Sequence, residues 1–278
     1  MDRILPTFLI VGAAKSGTSS LWHYLKAHPE VFVPQSKEVN FFNDEGNFAR
    51  GVDWYAGLFG AGAGKRAIGE ASPSYLFSDE TPARIAEIVP QARLVVILRN
   101  PIDRAHSHYL HARYYGLERR TFEEAVADER TDPGGKGWPF YLGFSRYEPQ
   151  LVRFTELFPR DQLLVLLLDD LIADPVGTFK TLCAHIGIDE TVVPANVGEV
   201  TNTYREPRAA PLLRFLIRSA QKGRLPRRVW RPLVNLATRE GRTPPPLDRA
   251  FRTELAAYFA EDNAALARWL GRDLSMWN

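Results

Sequence analysis

The sequence predicts an α/β fold: a P-loop-like three-layer sandwich with a central, mostly parallel sheet flanked by helices. Three observations carry this expectation. Apolar runs of strand length alternate with longer stretches of helical periodicity. The first apolar run leads straight into a glycine-containing loop, VGAAKSGTSS (11–20), that opens a helix. The 278 residues are 45% hydrophobic and 24% charged, an ordinary globular composition that one domain over 1–278 accommodates.

TFLIVG (7–12) is the first buried strand. TSSLWHYLKAHPE (18–30) follows as a helix, with Leu21, Trp22 and Leu25 on one face and a stop at Pro29. RAIGEAS (66–72) is a weaker strand, and TPARIAEIVPQ (81–91) the helix after it. RLVVILRN (93–100) is a second strongly apolar strand, followed by the helix DRAHSHYLHARYY (103–115). SRYEPQLVRFTELF (145–158) reads as a helix, QLLVLLLDD (162–170) as the third strongly apolar strand, and PVGTFKTLCAHIG (175–187) as a helix. The chain closes with one or two helices over 246–271, ending at Gly271. The Pro/Arg-rich stretches KGRLPRRVWRPL and REGRTPPPLDR read as surface loops around those last helices.

Bulk properties narrow the function. A net charge of +2 argues against a nucleic-acid partner. The single cysteine, Cys183, forms no intrachain disulfide, and its apolar neighbours make it a small core residue. The apolar run before the glycine loop is too short to cross a membrane and lacks a signal-peptide layout, so the expectation is a cytoplasmic protein with no integral membrane segment. His106, His108 and His111 share a helix, but no acidic ligand accompanies them, so no metal site is expected.

The loop VGAAKSGTSS departs from the triphosphate-binding pattern G-x-x-x-x-G-K-[ST]. Gly12 and Gly17 have the right separation and Ser19 stands at the magnesium-hydroxyl position, yet Thr18 replaces the lysine and Lys15 lies inside the loop. A strand running into such a loop at a helix N-terminus is a setting for an anion. The strand at 93–98 ends in Arg99, and Ser107 follows in the next helix. Arginine binds phosphate bidentately, so the two segments together ask for a nucleotide with phosphates at two places. The alternative is a P-loop nucleotide kinase or triphosphatase-type phosphoryl transferase, for which Asp169 and Asp170 would end a magnesium-holding strand.

The segments VGAAKSGTSSLW, ILRNPIDRAHSHY and KEVNFFN (37–43), in this order, resemble sulfotransferases that use 3′-phosphoadenosine 5′-phosphosulfate. The resemblance is greatest to the heparan-sulfate sulfotransferase branch and its bacterial relatives, and runs over nearly the whole chain through GVDWY (51–55), EASPSYLF (70–77), SRYEPQLVRF (145–154), LLLDDLIADP (166–175) and LARWLGRDLSMW (266–277). It implies that Lys15, Ser16, Gly17, Thr18, Ser19 and Ser20 bind the 5′-phosphosulfate, and that Arg99 and Ser107 bind the 3′-phosphate. Ser145 and Tyr147 would lie near the nucleotide, and Gly241 and Arg242 would belong to a late basic loop, although Glu240 replaces its usual lysine.

The resemblance also implies transfer of a sulfuryl group to a hydroxyl or amine of a small-molecule or carbohydrate acceptor, without a metal, leaving adenosine 3′,5′-bisphosphate. Lys15 would stabilise the leaving group and Glu38 would be the base. From the residues alone, Glu38 reads as a surface carboxylate paired with Lys37. The chain departs from the pattern often found in the O-sulfotransferases of the branch at Asn40 and Asn43, where those enzymes carry histidine and aspartate, and has Ala71 where some relatives carry lysine. Phe41, Phe42, Trp54, Tyr55 and Tyr75 read as core packing, with an acceptor pocket as the other reading.

Overall fold

The computed structural model describes residues 3–115, 117–132, 140–199, 205–207, 233, 238–240 and 246–277. The chain divides into two compact units. The first comprises Met1–Asn100 and Tyr147–Thr201, the second Pro101–Arg146 and Asn202–Asn278.

The first unit is built on one parallel sheet of five strands: β1 (Phe8–Gly12), β2 (Val31–Phe32), β3 (Ala67–Ala71), β4 (Arg93–Leu98) and β5 (Leu163–Leu167), in the order β2-β3-β1-β4-β5. Every residue of β1 and β3 is buried; β1 therefore reads as an unbroken apolar run, whereas Glu70 interrupts the run in β3 and makes it the weaker strand of the sequence. β1 lies between β3 and β4, where the winding of the sheet reverses; ligands of open α/β sheets bind beyond the strand ends at such a point.

The helices of this unit are α1 (Thr18–Ala27), α2 (Glu45–Phe48), α3 (Gly51–Gly57) and α4 (Thr81–Ile88) in its first segment. The second helices of the chain belonging to the other unit, α5 (Pro101–Tyr114) and α6 (Phe122–Thr131), come next in sequence, followed by α7 (Tyr147–Thr155), α8 (Leu168–Ala173) and α9 (Pro175–Ile186), which return to the first. α1 and α9 bury Leu21, Trp22, Leu25, Phe179, Leu182 and Cys183 in one core with Phe8, Ile10, Val95 and Ile97. Cys183 is thus the core residue its neighbours indicate.

The third apolar strand is shorter than QLLVLLLDD implies. β5 ends at Leu167, and Asp169 and Asp170 fall in the first turn of α8, where the helix dipole favours carboxylates. β2, α2 and α3, with two, four and seven residues, are too short for a hydrophobic period to repeat often enough to be read from the sequence.

In the second unit, Ile102 and Tyr109 of α5 pack with Phe122 and Val126 of α6, with Tyr141, and with Leu255 and Phe259 of the last helix. That helix, α10 (Arg249–Leu270), is continuous and ends at Gly271, whose φ of 63° is a left-handed cap that glycine adopts without strain. A short antiparallel pair, β6 (Arg205–Pro207) and β7 (Thr238–Glu240), belongs to the same unit. Among the described residues no helix is long and apolar enough to cross a membrane.

Candidate functional site

The glycine loop leaves the C-terminal end of β1. A Cβ on Gly12 would stand 2.5 Å from Leu76 Cβ, so a side chain cannot enter there without displacing Leu76. The backbone passes through left-handed conformations at Lys15 (φ 70°) and Gly17 (φ 102°) before α1 begins at Thr18. Gly17 supplies no side-chain cap, so the first N–H groups of α1 have no hydroxyl or carboxylate in front of them from that position. Ser16 is fully buried, and its Oγ has no hydrogen-bond partner among the described residues. An orphaned buried hydroxyl beside an uncapped helix N-terminus fits an anionic phosphate oxygen.

Arg99 follows β4, beside β1 in the sheet. Its guanidinium donates to the Lys15 carbonyl at 3.4 Å, and the Tyr147 hydroxyl donates to the Arg99 carbonyl at 2.8 Å. Lys15, Arg99 and Tyr147 are therefore brought together within the first unit. Ser107 is half-buried in α5 of the second unit. Ser145, in the same unit, accepts from Arg104 Nε at 2.6 Å and donates to the Pro101 carbonyl at 3.0 Å, so its hydroxyl serves the local fold. His108 is buried with its Nδ1 3.3 Å from Arg104. Gly241 and Arg242 lie outside the described residues.

The KEVNFFN segment is held by a buried polar network. Glu70, at 1% exposure in β3, accepts hydroxyl bonds from Tyr55 and Tyr75 at 2.8 Å and from Ser72 at 2.6 Å. Burial pushes its carboxyl above the usual range, opposed by these donors. Tyr75 Oη in turn accepts the Phe41 N–H at 2.8 Å, and Ser72 Oγ accepts the Asn40 N–H at 3.0 Å. The Glu38 N–H donates to the Ala71 carbonyl at 3.0 Å. These bonds hold Glu38 and Asn40 at φ 65° and 52°. Among the described residues, the three non-glycines with positive φ are Lys15, Glu38 and Asn40. Such conformations cost free energy and collect at functional sites, though asparagine tolerates them best.

Phe41, Phe42, Tyr55 and Tyr75 are fully buried, and Phe41 stacks on Tyr55 at 4.2 Å, which makes them core. Tyr75→Phe removes both the acceptor for the Phe41 N–H and a donor to Glu70. It is expected to cost about 1–3 kcal/mol in denaturant unfolding, the range for stranding a buried polar group. A loss below a few tenths of a kcal/mol would show that this network does not hold the segment.

Two residues of the site escaped the sequence reading of roles. Glu70 carried a signal, since a carboxylate inside a buried strand needs partners. Lys37 carried only its place before Glu38. Its Nζ lies 3.0 Å from Glu38 Oε1 and 3.4 Å from Thr18 Oγ1 in the glycine loop. The pairing with Glu38 read from the residues is therefore present, and the same ammonium reaches the loop as well.

The sulfotransferase domain model matches residues 5–206, most of the chain. The chain belongs to the sulfotransferase domain family. Among the relatives of this sulfotransferase-family chain is the mouse (Mus musculus) bifunctional heparan sulfate N-deacetylase/N-sulfotransferase 4, 29% identical over 98% of the chain and 31% of that protein. The chain thus spans about a third of the length of that relative. Mouse heparan sulfate glucosamine 3-O-sulfotransferase 5 is 27% identical over 98% of the chain and 74% of its own length. A crystal structure of a sulfotransferase from Alicyclobacillus acidocaldarius superposes with a TM-score of 0.74 at 31% identity, covering 98% of both chains. The family and this match agree with the α/β, P-loop-like architecture expected from the sequence, and neither points to a phosphoryl transferase.

Proposed function

We propose that the protein transfers a sulfuryl group from 3′-phosphoadenosine 5′-phosphosulfate to a hydroxyl, or an amine, of a small-molecule or glycan acceptor. One observation carries the reading: adjacent strands β1 and β4 are each followed by a cation, Lys15 within the loop after β1 and Arg99 directly after β4, with the arginine bonded to the loop that holds the lysine. That pairing suits a compact nucleotide with phosphates at two places better than a linear triphosphate. The names of the relatives include both N- and O-sulfotransferases, which supports a nucleophile of either kind.

When bound, the donor supplies the sulfuryl group and a 5′-phosphate leaving group. The loop from Lys15 to Ser20 holds the phosphosulfate through N–H groups, hydroxyls and the Lys15 ammonium. Arg99 holds the 3′-phosphate, and Ser107 keeps the role that the resemblance implies. Gly241 and Arg242 are retained as candidate nucleotide contacts on the same ground. Glu38 takes the acceptor's proton as the acceptor atom bonds to sulfur. Lys15 meets the negative charge that the bridging oxygen gains as its bond to sulfur breaks. No residue in this scheme calls for a metal, because the charge is met by lysine and arginine.

Calorimetry with adenosine 3′,5′-bisphosphate tests the donor assignment. The native chain is expected to bind it in a chelating buffer, and Arg99→Ala to bind at least about tenfold more weakly, the loss of one charged hydrogen-bonding partner. Binding of ATP with magnesium in preference to the bisphosphate would favour the phosphoryl-transfer alternative.

A further inference from the structure

We propose that Lys37 is the group that distinguishes the sulfated donor from its desulfated product, by holding the sulfuryl oxygens. The proposal rests on the donor reading above and adds a residue that neither the loop pattern nor the resemblance assigned.

In-line transfer requires the sulfur to pass along a line from the 5′-phosphate to the acceptor atom. One end of that line is the glycine loop, where Thr18 opens α1. The other end is the base, Glu38. Lys37 Nζ touches both ends, at 3.4 Å from Thr18 Oγ1 and 3.0 Å from Glu38 Oε1. An ammonium that spans the two therefore borders the interval the sulfuryl group must occupy. Its side chain is only 16% exposed, against 54% for Glu38, so the cation is tucked toward the loop while the carboxylate stays open to an acceptor. A lysine tied only to a neighbouring surface carboxylate would extend into water, because exposed pairs are worth too little to hold one down.

Two consequences follow for this chain. Lysine has three N–H donors, and the two observed contacts leave one for a sulfuryl oxygen. That contact exists with the phosphosulfate and is lost with adenosine 3′,5′-bisphosphate, which has no sulfuryl group. Lys37 thus favours donor over product, whereas Lys15 and Arg99, aimed at phosphates common to both, cannot. The ammonium also has a second function: as it engages the sulfuryl oxygens, its hold on Glu38 weakens and the carboxylate is released to take the acceptor's proton. Donor occupancy and base availability are coupled through one charge.

The test compares two ligands on each of three proteins by calorimetry, without acceptor: native, Lys37→Gln and Lys37→Arg. The native chain is expected to bind both the phosphosulfate and the bisphosphate. Lys37→Gln should lose about tenfold in affinity for the phosphosulfate and less than about twofold for the bisphosphate, as expected for one charged contact made by only one ligand. Lys37→Arg should recover most of the phosphosulfate affinity. Bisphosphate binding doubles as the check that each variant is folded. Equal losses for the two ligands, or no loss for either, would overturn the role of Lys37 while leaving the donor reading intact. A native chain that binds neither nucleotide would overturn the donor reading itself, and the role of Lys37 with it.

Discussion

Glu38→Gln is expected to lower kcat about 10²–10⁴-fold, the span that a positioned general base contributes. The substitution keeps the shape and the N–H bond to the Ala71 carbonyl, since that bond is made by the backbone. It removes only the ability to accept a proton and the charge facing Lys37. Affinity for adenosine 3′,5′-bisphosphate should therefore stay within about twofold, because the phosphate-holding groups are untouched. Single-turnover transfer from labelled phosphosulfate, read by product mass across a panel of hydroxyl and amine acceptors, measures it. Full transfer by the glutamine variant would assign the base elsewhere. Asn40 is not a substitute, since an amide cannot act as a base; its side chain donates to the Glu38 carbonyl at 3.3 Å and accepts from Ser74 at 3.0 Å.

Lys15→Ala is expected to reduce kcat about 10²–10³-fold, the effect of removing one preorganised group from the atom where charge develops. Bisphosphate binding should fall much less, because in the proposed mechanism the charge that Lys15 meets is largest in the transition state. Lys15 already sits at φ 70°, and alanine carries the same Cβ penalty there, so the substitution removes the ammonium without relaxing the loop. Lys15→Gly relaxes the loop as well, so any difference between the two variants reports the conformational part. Equal kcat values for native and alanine proteins would remove Lys15 from the chemistry.

Local signals made much of the site legible. The glycine loop was readable because a strand, two glycines and a helix start are contiguous in the chain, and their chemistry does not depend on distant residues. Arg99 was readable for the same reason: a cation directly after an apolar run marks the strand's C-terminal edge. The alternation of apolar runs and helical periods determined the α/β class, since burial on both faces of a parallel sheet favours apolar residues along the whole strand.

Tertiary structure decided what those signals meet. That β1 lies between β3 and β4 is a property of strand order, which no local pattern encodes. A carboxylate inside a buried strand marks Glu70 as needing partners, but only the fold identifies them as Tyr55, from a helix 15 residues earlier, and Tyr75. The left-handed turns at Glu38 and Asn40 follow from that closure, because nothing in KEVNFFN itself favours positive φ at a glutamate. Lys37 shows the division most clearly. The sequence placed it beside Glu38 and determined its charge. Only the fold carried its ammonium to Thr18, 19 residues away, because the strands that bring the loop and the segment together pair through the sheet and not along the chain.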